Sequence, residues 1–119
     1  MKDEIHHNAQ ESLTIKGETV KSISEKKIAD FFHAYKIKYD YERSIRINNQ
    51  RLIPDFYLRE FGVFVEFWGL KDFKKYKNRM KKKKRLYRKY NLKLVSLYPE
   101  DLKNLDSVFF SRLKSLIKR

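Results

Sequence analysis

Two acids stand out by their surroundings. Asp55 and Glu66 lie in PDFYLREFGVFVEFWG, residues 54–69, among Phe56, Phe64, Val65, Phe67 and Trp68. Both fall where β-strands are expected, and burying an unpaired carboxylate is costly unless it is protonated. Side chains alternate along a strand, so Phe64, Glu66 and Trp68 share one face while Val63, Val65 and Phe67 share the other. A short antiparallel hairpin turning at Gly62 brings Asp55 and Glu66 together, because opposed Cβ atoms lie ~5 Å apart. Two carboxylates so placed repel each other unless a cation sits between them. Oxygen-only ligands of this kind favour Mg²⁺ or Mn²⁺ over zinc.

A second feature is positive. The 119-residue chain carries 29 Lys or Arg against 15 acids, a formal charge of +14. Residues 71–93 hold thirteen of those bases and one acid, Asp72, which makes a localised patch. Phosphate neutralisation with counterion release draws such a patch to nucleic acid; the simpler explanation is a lysine-rich solvated surface. At 3.6 residues per turn, Phe73, Tyr76, Met80, Lys83, Tyr87 and Tyr90 fall on one helical stripe. Lys83 is its one charged member and is expected to point at the sheet, where a carboxylate must answer it. Lys81, Lys82 and Lys84 are expected to project elsewhere and stay solvated.

The elements that must position these groups are legible in outline. Residues 1–20 are polar and aperiodic, which predicts a flexible arm or a weak extra element, with His6 and His7 a solvated pair rather than a metal site. One domain spans 21–119. Ser22 and Glu25 form a capping box that opens a helix burying Ile28, Phe32 and Tyr35. Strands are predicted over 37–47 and 52–60, joined by a turn at residues 48–50, with Pro54 near the start of the second. A third strand covers 63–69; apolar on both faces, it belongs in the centre of the sheet. A basic helix over 72–90, a strand over 92–98 and an amphipathic C-terminal helix follow. The fold class is therefore α/β, a mixed four-stranded sheet flanked by helices. There is no cysteine, which excludes disulfides and thiolate metal sites. No apolar run approaches the ~20 residues that cross a bilayer, so a cytoplasmic protein without membrane contact is expected.

Pro54-Asp55, ten intervening residues, then Glu66-Phe67-Trp68, in an αβββαβ order, resembles the PD-(D/E)xK nuclease superfamily. This restriction-endonuclease-like family includes restriction enzymes, junction resolvases and very-short-patch repair endonucleases. Within it, the succession of motifs looks most like the nuclease-like segment of some bacterial DNA helicases. The resemblance runs from about Ser22 to Tyr98. It implies a Mg²⁺- or Mn²⁺-dependent endonuclease acting on DNA, with RNA left open, and a homodimer where both strands are cut; with no separate base-reading module in so short a chain, structure-selective or weakly sequence-specific cleavage is expected. Asp55 and Glu66 would be the catalytic metal ligands, and Glu25 matches the first-helix acid that completes the shell in many relatives.

One position departs from the family. The lysine expected two residues after the second acid is Trp68 here. Relatives linked to helicases carry a helix lysine seven residues after a tyrosine, and Tyr76 and Lys83 match that spacing, so Lys83 is the expected catalytic lysine. Lys74, Lys75, Lys77, Arg79, Lys81, Lys82, Lys84, Arg85 and Arg88 would grip phosphates without reading sequence. Glu42 is a supporting candidate, placed on the opposite strand face from Tyr39 and Tyr41. Trp68 and Tyr76 are core residues first and site-bordering residues second. The competing expectation is a nucleic-acid binder that keeps the fold and has lost the chemistry.

Overall fold

Ser22 starts the first long helix as the sequence predicts: its Oγ accepts the Glu25 N–H at 3.1 Å. That helix, α1, spans Ile23–Ala34 and buries Ile28, Ala29 and Phe32, whereas Tyr35, expected on the same buried stripe, is its C-cap and stays exposed. The structure is a computed structural model and describes residues 11–70 and 72–117. Before α1, β1 (Ser12–Leu13) and β2 (Thr19–Val20) pair as a small antiparallel hairpin, with Gly17 at φ 107 in its loop. Val20 is buried, the Ile15 N–H reaches Asp30 Oδ1 at 2.8 Å, and the Tyr39 hydroxyl donates to Glu18. Residues 11–20 are thus packed on the domain as a small extra element and not as a flexible arm. A few long-range bonds hold them, which local polarity does not reveal. His6 and His7 lie outside the described residues.

The main sheet has the order β3-β6-β7-β8, formed by Asp40–Tyr41, Phe56–Leu58, Val63–Phe67 and Leu94–Leu97. The first three strands are antiparallel neighbours, and β8 runs parallel to β7. A parallel neighbour needs a crossover, which α2 (Lys74–Lys89) provides. A 3-10 helix, Pro99–Asn104, leads into α3, Leu105–Ile117. Central β7 is buried through its first four residues, as its doubly apolar sequence requires. Phe56, Val63 and Val65 pack with Phe32, Phe109 and Leu113 from α1 and α3. On the opposite face Phe64 packs with Tyr87 of α2 and with Leu52. The expected mixed sheet of four strands with helices on both faces is present. Among the described residues no helix is long and apolar enough to cross a membrane.

Two predicted strands are each split. The 37–47 segment breaks at Glu42, whose φ is 51, into β3 and β4 (Ile45–Ile47). The 52–60 segment breaks at Ile53-Pro54 into β5 (Gln50–Leu52) and β6. Pro54 has no N–H to give a ladder. The consequence is a separate β4–β5 hairpin inserted between two strands of the main sheet. Its turn falls where the sequence puts it: Asn48 and Asn49 have φ 47 and 68, the left-handed pair that a two-residue type I′ hairpin requires.

Candidate active site

The β6–β7 register pairs Phe56 with Val65, so one further step sets Asp55 opposite Glu66. Gly62, at φ 63, makes the connection that permits this. Asp55 Oδ2 accepts the Phe67 N–H at 2.7 Å, and its main-chain carbonyl accepts the Glu42 N–H at 3.0 Å. The Asp55 and Glu66 carboxylates are close enough to act on each other electrostatically. The predicted pair is therefore brought together, but Glu66, expected as a metal ligand, lies outside the group of described acids whose oxygens could share an ion.

Glu66 is 1% exposed and fully engaged. Lys83 Nζ lies 2.9 Å from its Oε1 and 2.8 Å from its Oε2, and the Tyr87 hydroxyl donates to Oε2 at 2.5 Å. The same ammonium donates to the Ile53 carbonyl at 2.8 Å. Lys83 thus points inward, where its place on the apolar stripe predicts it.

A second group of acids meets Asp55 from the other side. Carboxylate oxygens of Glu25, Glu42 and Asp55 lie within 4.8 Å of one another. Glu25 stands in the first turn of α1, where its Oε1 accepts the Tyr41 hydroxyl at 2.5 Å and the Lys21 N–H at 3.3 Å. The capping box therefore forms in one direction only: Ser22 caps the helix, and the Glu25 carboxylate turns to the acidic cluster. Glu42 is paired with Lys21 at 2.5 Å. The strand alternation that set Glu42 apart from Tyr41 ends at its left-handed backbone, so both residues reach the neighbourhood of Glu25. Glu42 belongs with the gathered acids rather than behind them.

Charge is left over here. Four carboxylates, Glu25, Glu42, Asp55 and Glu66, face two paired ammonium groups, Lys21 and Lys83, among the described residues. Desolvation and the neighbouring Glu66 push the Asp55 carboxyl up to about 7. Burial and then Asp55 raise Glu25. Glu66 is also raised by burial, against the pull of Lys83. With all four ionised, two negative charges remain, and an all-oxygen set of that charge matches one divalent cation of the Mg²⁺ type. By that chemistry Glu25, Glu42 and Asp55 fit such an ion.

Of the predicted phosphate-gripping residues, Lys74, Lys75, Lys77, Arg79, Lys81, Lys82, Arg85 and Arg88 are exposed. Lys84 is not free. It is half-buried, donates to the Tyr98 hydroxyl at 2.8 Å, and its ammonium stands 5.3 Å from the centres of both the Trp68 and Tyr98 rings. Apolar surface beside the helix covers its stem, which helical period alone does not anticipate. Trp68 is buried beneath it, with Nε1 lacking a hydrogen-bond partner among the described residues. Tyr76 is half-buried, flanked by Lys75 and Arg79 at 5.4 and 5.3 Å from its ring centre.

Three partners were not anticipated: Tyr87 for Glu66, Tyr41 for Glu25, and Lys21 for Glu42. Tyr87 had a signal, since it follows Lys83 by four residues on the same helical face. The other two depend on the bend at Glu42. Compared with family models, with curated proteins and with solved structures, the chain matches none.

Proposed function

We propose that this chain is a metal-dependent nuclease that hydrolyses phosphodiester bonds in DNA, built on a restriction-endonuclease-like core. The observation that carries the reading is one continuous constellation. The acids Glu25, Glu42 and Asp55 gather within 4.8 Å, and Asp55 adjoins a Glu66–Lys83 pair supplied by the basic helix. The order α1, β3, β6, β7, α2, β8 supports the core assignment, with the β4–β5 hairpin as an insertion.

Glu25, Glu42 and Asp55 would hold Mg²⁺ or Mn²⁺. Bound there, the ion supplies Lewis acidity toward a coordinated water and toward the phosphate. The rest falls to the chain. Glu66, with Tyr87, holds the Lys83 ammonium beside the acids, where it can donate to a phosphate oxygen or to the attacking water. Exposed lysines and arginines of α2 bind flanking phosphates and set the depth of the duplex. One such centre cuts one strand, so cutting both requires two copies related by a two-fold axis.

The test is cleavage of nicked, branched and linear DNA with Mg²⁺, with Mn²⁺ and with EDTA. Asp55→Ala and Lys83→Ala should each lower cleavage by about a hundredfold or more with binding retained. Lys81→Ala should weaken binding and reduce its salt slope by about 1 while cutting persists at saturating protein. A second reading, a binder without chemistry, draws on the occupancy of both Glu66 oxygens by Lys83 and Tyr87. Tight binding to every substrate, with no metal-dependent product from any, would decide for it.

A further inference from the structure

The β4–β5 hairpin carries side chains that this reading leaves unused. From Arg43 to Arg51 the chain has three arginines and no acid. Arg46 and Arg51 are exposed and directly opposed across the ladder. Like charges so placed destabilise a two-stranded ribbon. Among the described residues neither is paired with a carboxylate; Arg51 Nε donates to the neutral Ser44 Oγ at 3.1 Å. Opposed like charges cost stability in the free protein, and a polyanion would supply the counter-charge that the described residues do not.

The tip adds hydrogen-bonding groups. Glycine is favoured at the second position of a type I′ turn, yet Asn49 stands there, so exposed amides project from Asn48, Asn49 and Gln50 in succession. Each offers a donor and an acceptor, the pair that reads a base edge. The root is firm. Leu52 is buried and Ile45 packs with it against Phe64 and Tyr87. The next carbonyl, Ile53, accepts Lys83 Nζ at 2.8 Å. Strands of three residues make an arm roughly 10 Å long, rooted just before Asp55.

We propose that this hairpin enters the major groove of duplex DNA beside the acidic site. Arg46 and Arg51 would lie on the phosphates, and the amides of Asn48 and Asn49 on base edges. The inference rests on the nucleic-acid partner of the reading above and adds a sequence-reading element to it. A B-form major groove, ~12 Å wide, admits a two-stranded ribbon. The deep, narrow groove of duplex RNA does not, so the arm selects DNA.

Binding is measured by fluorescence anisotropy in EDTA, where no cutting occurs, on short DNA and RNA duplexes over a range of salt. The double variant Arg46→Gln/Arg51→Gln should weaken DNA binding and lower the slope of log affinity against log salt by about 2. Its melting temperature should hold or rise, since the change relieves repulsion. Asn48→Gly/Asn49→Gly keeps the turn, because glycine takes positive φ freely. It should leave the salt slope intact and abolish the preference that the native chain shows in selection from randomised duplexes. An unchanged salt slope in the arginine variant, or equal affinity of the native chain for RNA and DNA duplexes, overturns the proposal. Arm-dependent binding with no cutting in Mg²⁺ sinks the nuclease reading alone. Cutting by an arginine variant that binds like the native chain sinks the arm alone.

Discussion

Asp55 and Glu66 face one another across two strands, yet their removal should have opposite effects. Asp55 contributes a charge that its neighbours resist, and its carboxyl is pushed up to about 7. Asparagine in its place keeps an oxygen for the Phe67 N–H and removes the repulsion. Asp55→Asn should therefore raise stability in EDTA at pH 8 by about 1 kcal/mol, roughly 4 °C in melting temperature. Glu66 instead answers Lys83, whose side chain is 28% exposed. Glu66→Ala leaves both the Lys83 ammonium and the Tyr87 hydroxyl without their acceptor and should cost about 2 kcal/mol. Calorimetric melting of the two variants side by side checks both. If Glu66→Ala melted no lower than the native chain, the bonds from Lys83 and Tyr87 would carry no structural weight.

At the scale of elements, the site depends on how tightly β6 turns into β7 and how α3 is held on β8. Gly62 has φ 63, and a Cβ there would meet nothing within 4 Å, so the backbone conformation alone sets the cost of substitution. Gly62→Val should lose about 1–2 kcal/mol and Gly62→Asn much less, because asparagine tolerates the left-handed region. Denaturant unfolding of the pair tests this. The C-terminal helix is pinned by Arg112, which donates to Ser96 O at 2.6 Å and to Asp101 Oδ2 at 2.7 Å. Asp101 is buried and also accepts the Tyr98 N–H at 2.8 Å. Asp101→Ala should cost about 2 kcal/mol and raise hydrogen exchange in α3 ahead of α2. Equal exchange in both helices would mean the clamp does not hold α3 in particular.

For the whole molecule, the clustered acids make stability depend on pH. The carboxyls of Asp55, Glu25 and Glu66 are all raised in the folded chain, whereas in the unfolded chain they titrate near about 4. Between about 4 and about 7 the native protein holds more protons than the unfolded one, so stability falls as pH rises through that window and levels off above it. A metal ion binding the deprotonated acids should reverse this trend. The melting shift caused by Mg²⁺ should be small near pH 5, grow toward pH 8 and vanish in Asp55→Ala. Melting curves at a series of pH values, with Mg²⁺ and with EDTA, measure it directly. A Mg²⁺ shift independent of pH would argue against carboxylate ligation.

Local rules carried the reading of this chain a long way. Alternation put Glu66 on the face of Phe64, opposite the Val63 and Val65 face. The 3.6-residue period singled out Lys83 from a run of lysines, and the Ser22 cap marked the start of α1. Each of these depends on bonds and side chains a few residues apart, which is why the amino-acid order sufficed. It did not show the break at Glu42, the inserted β4–β5 hairpin, the burial of Lys84 between Trp68 and Tyr98, or the docking of residues 11–20. Those were decided by contacts between segments distant in the chain. A single left-handed residue redirects every side chain after it, and a lysine's fate depends on which apolar surface happens to lie alongside. The composition of the acidic cluster, with Glu42 gathered in and Glu66 held by Lys83, therefore came from tertiary packing, because only the folded chain brings α1, β3 and β6 to one point.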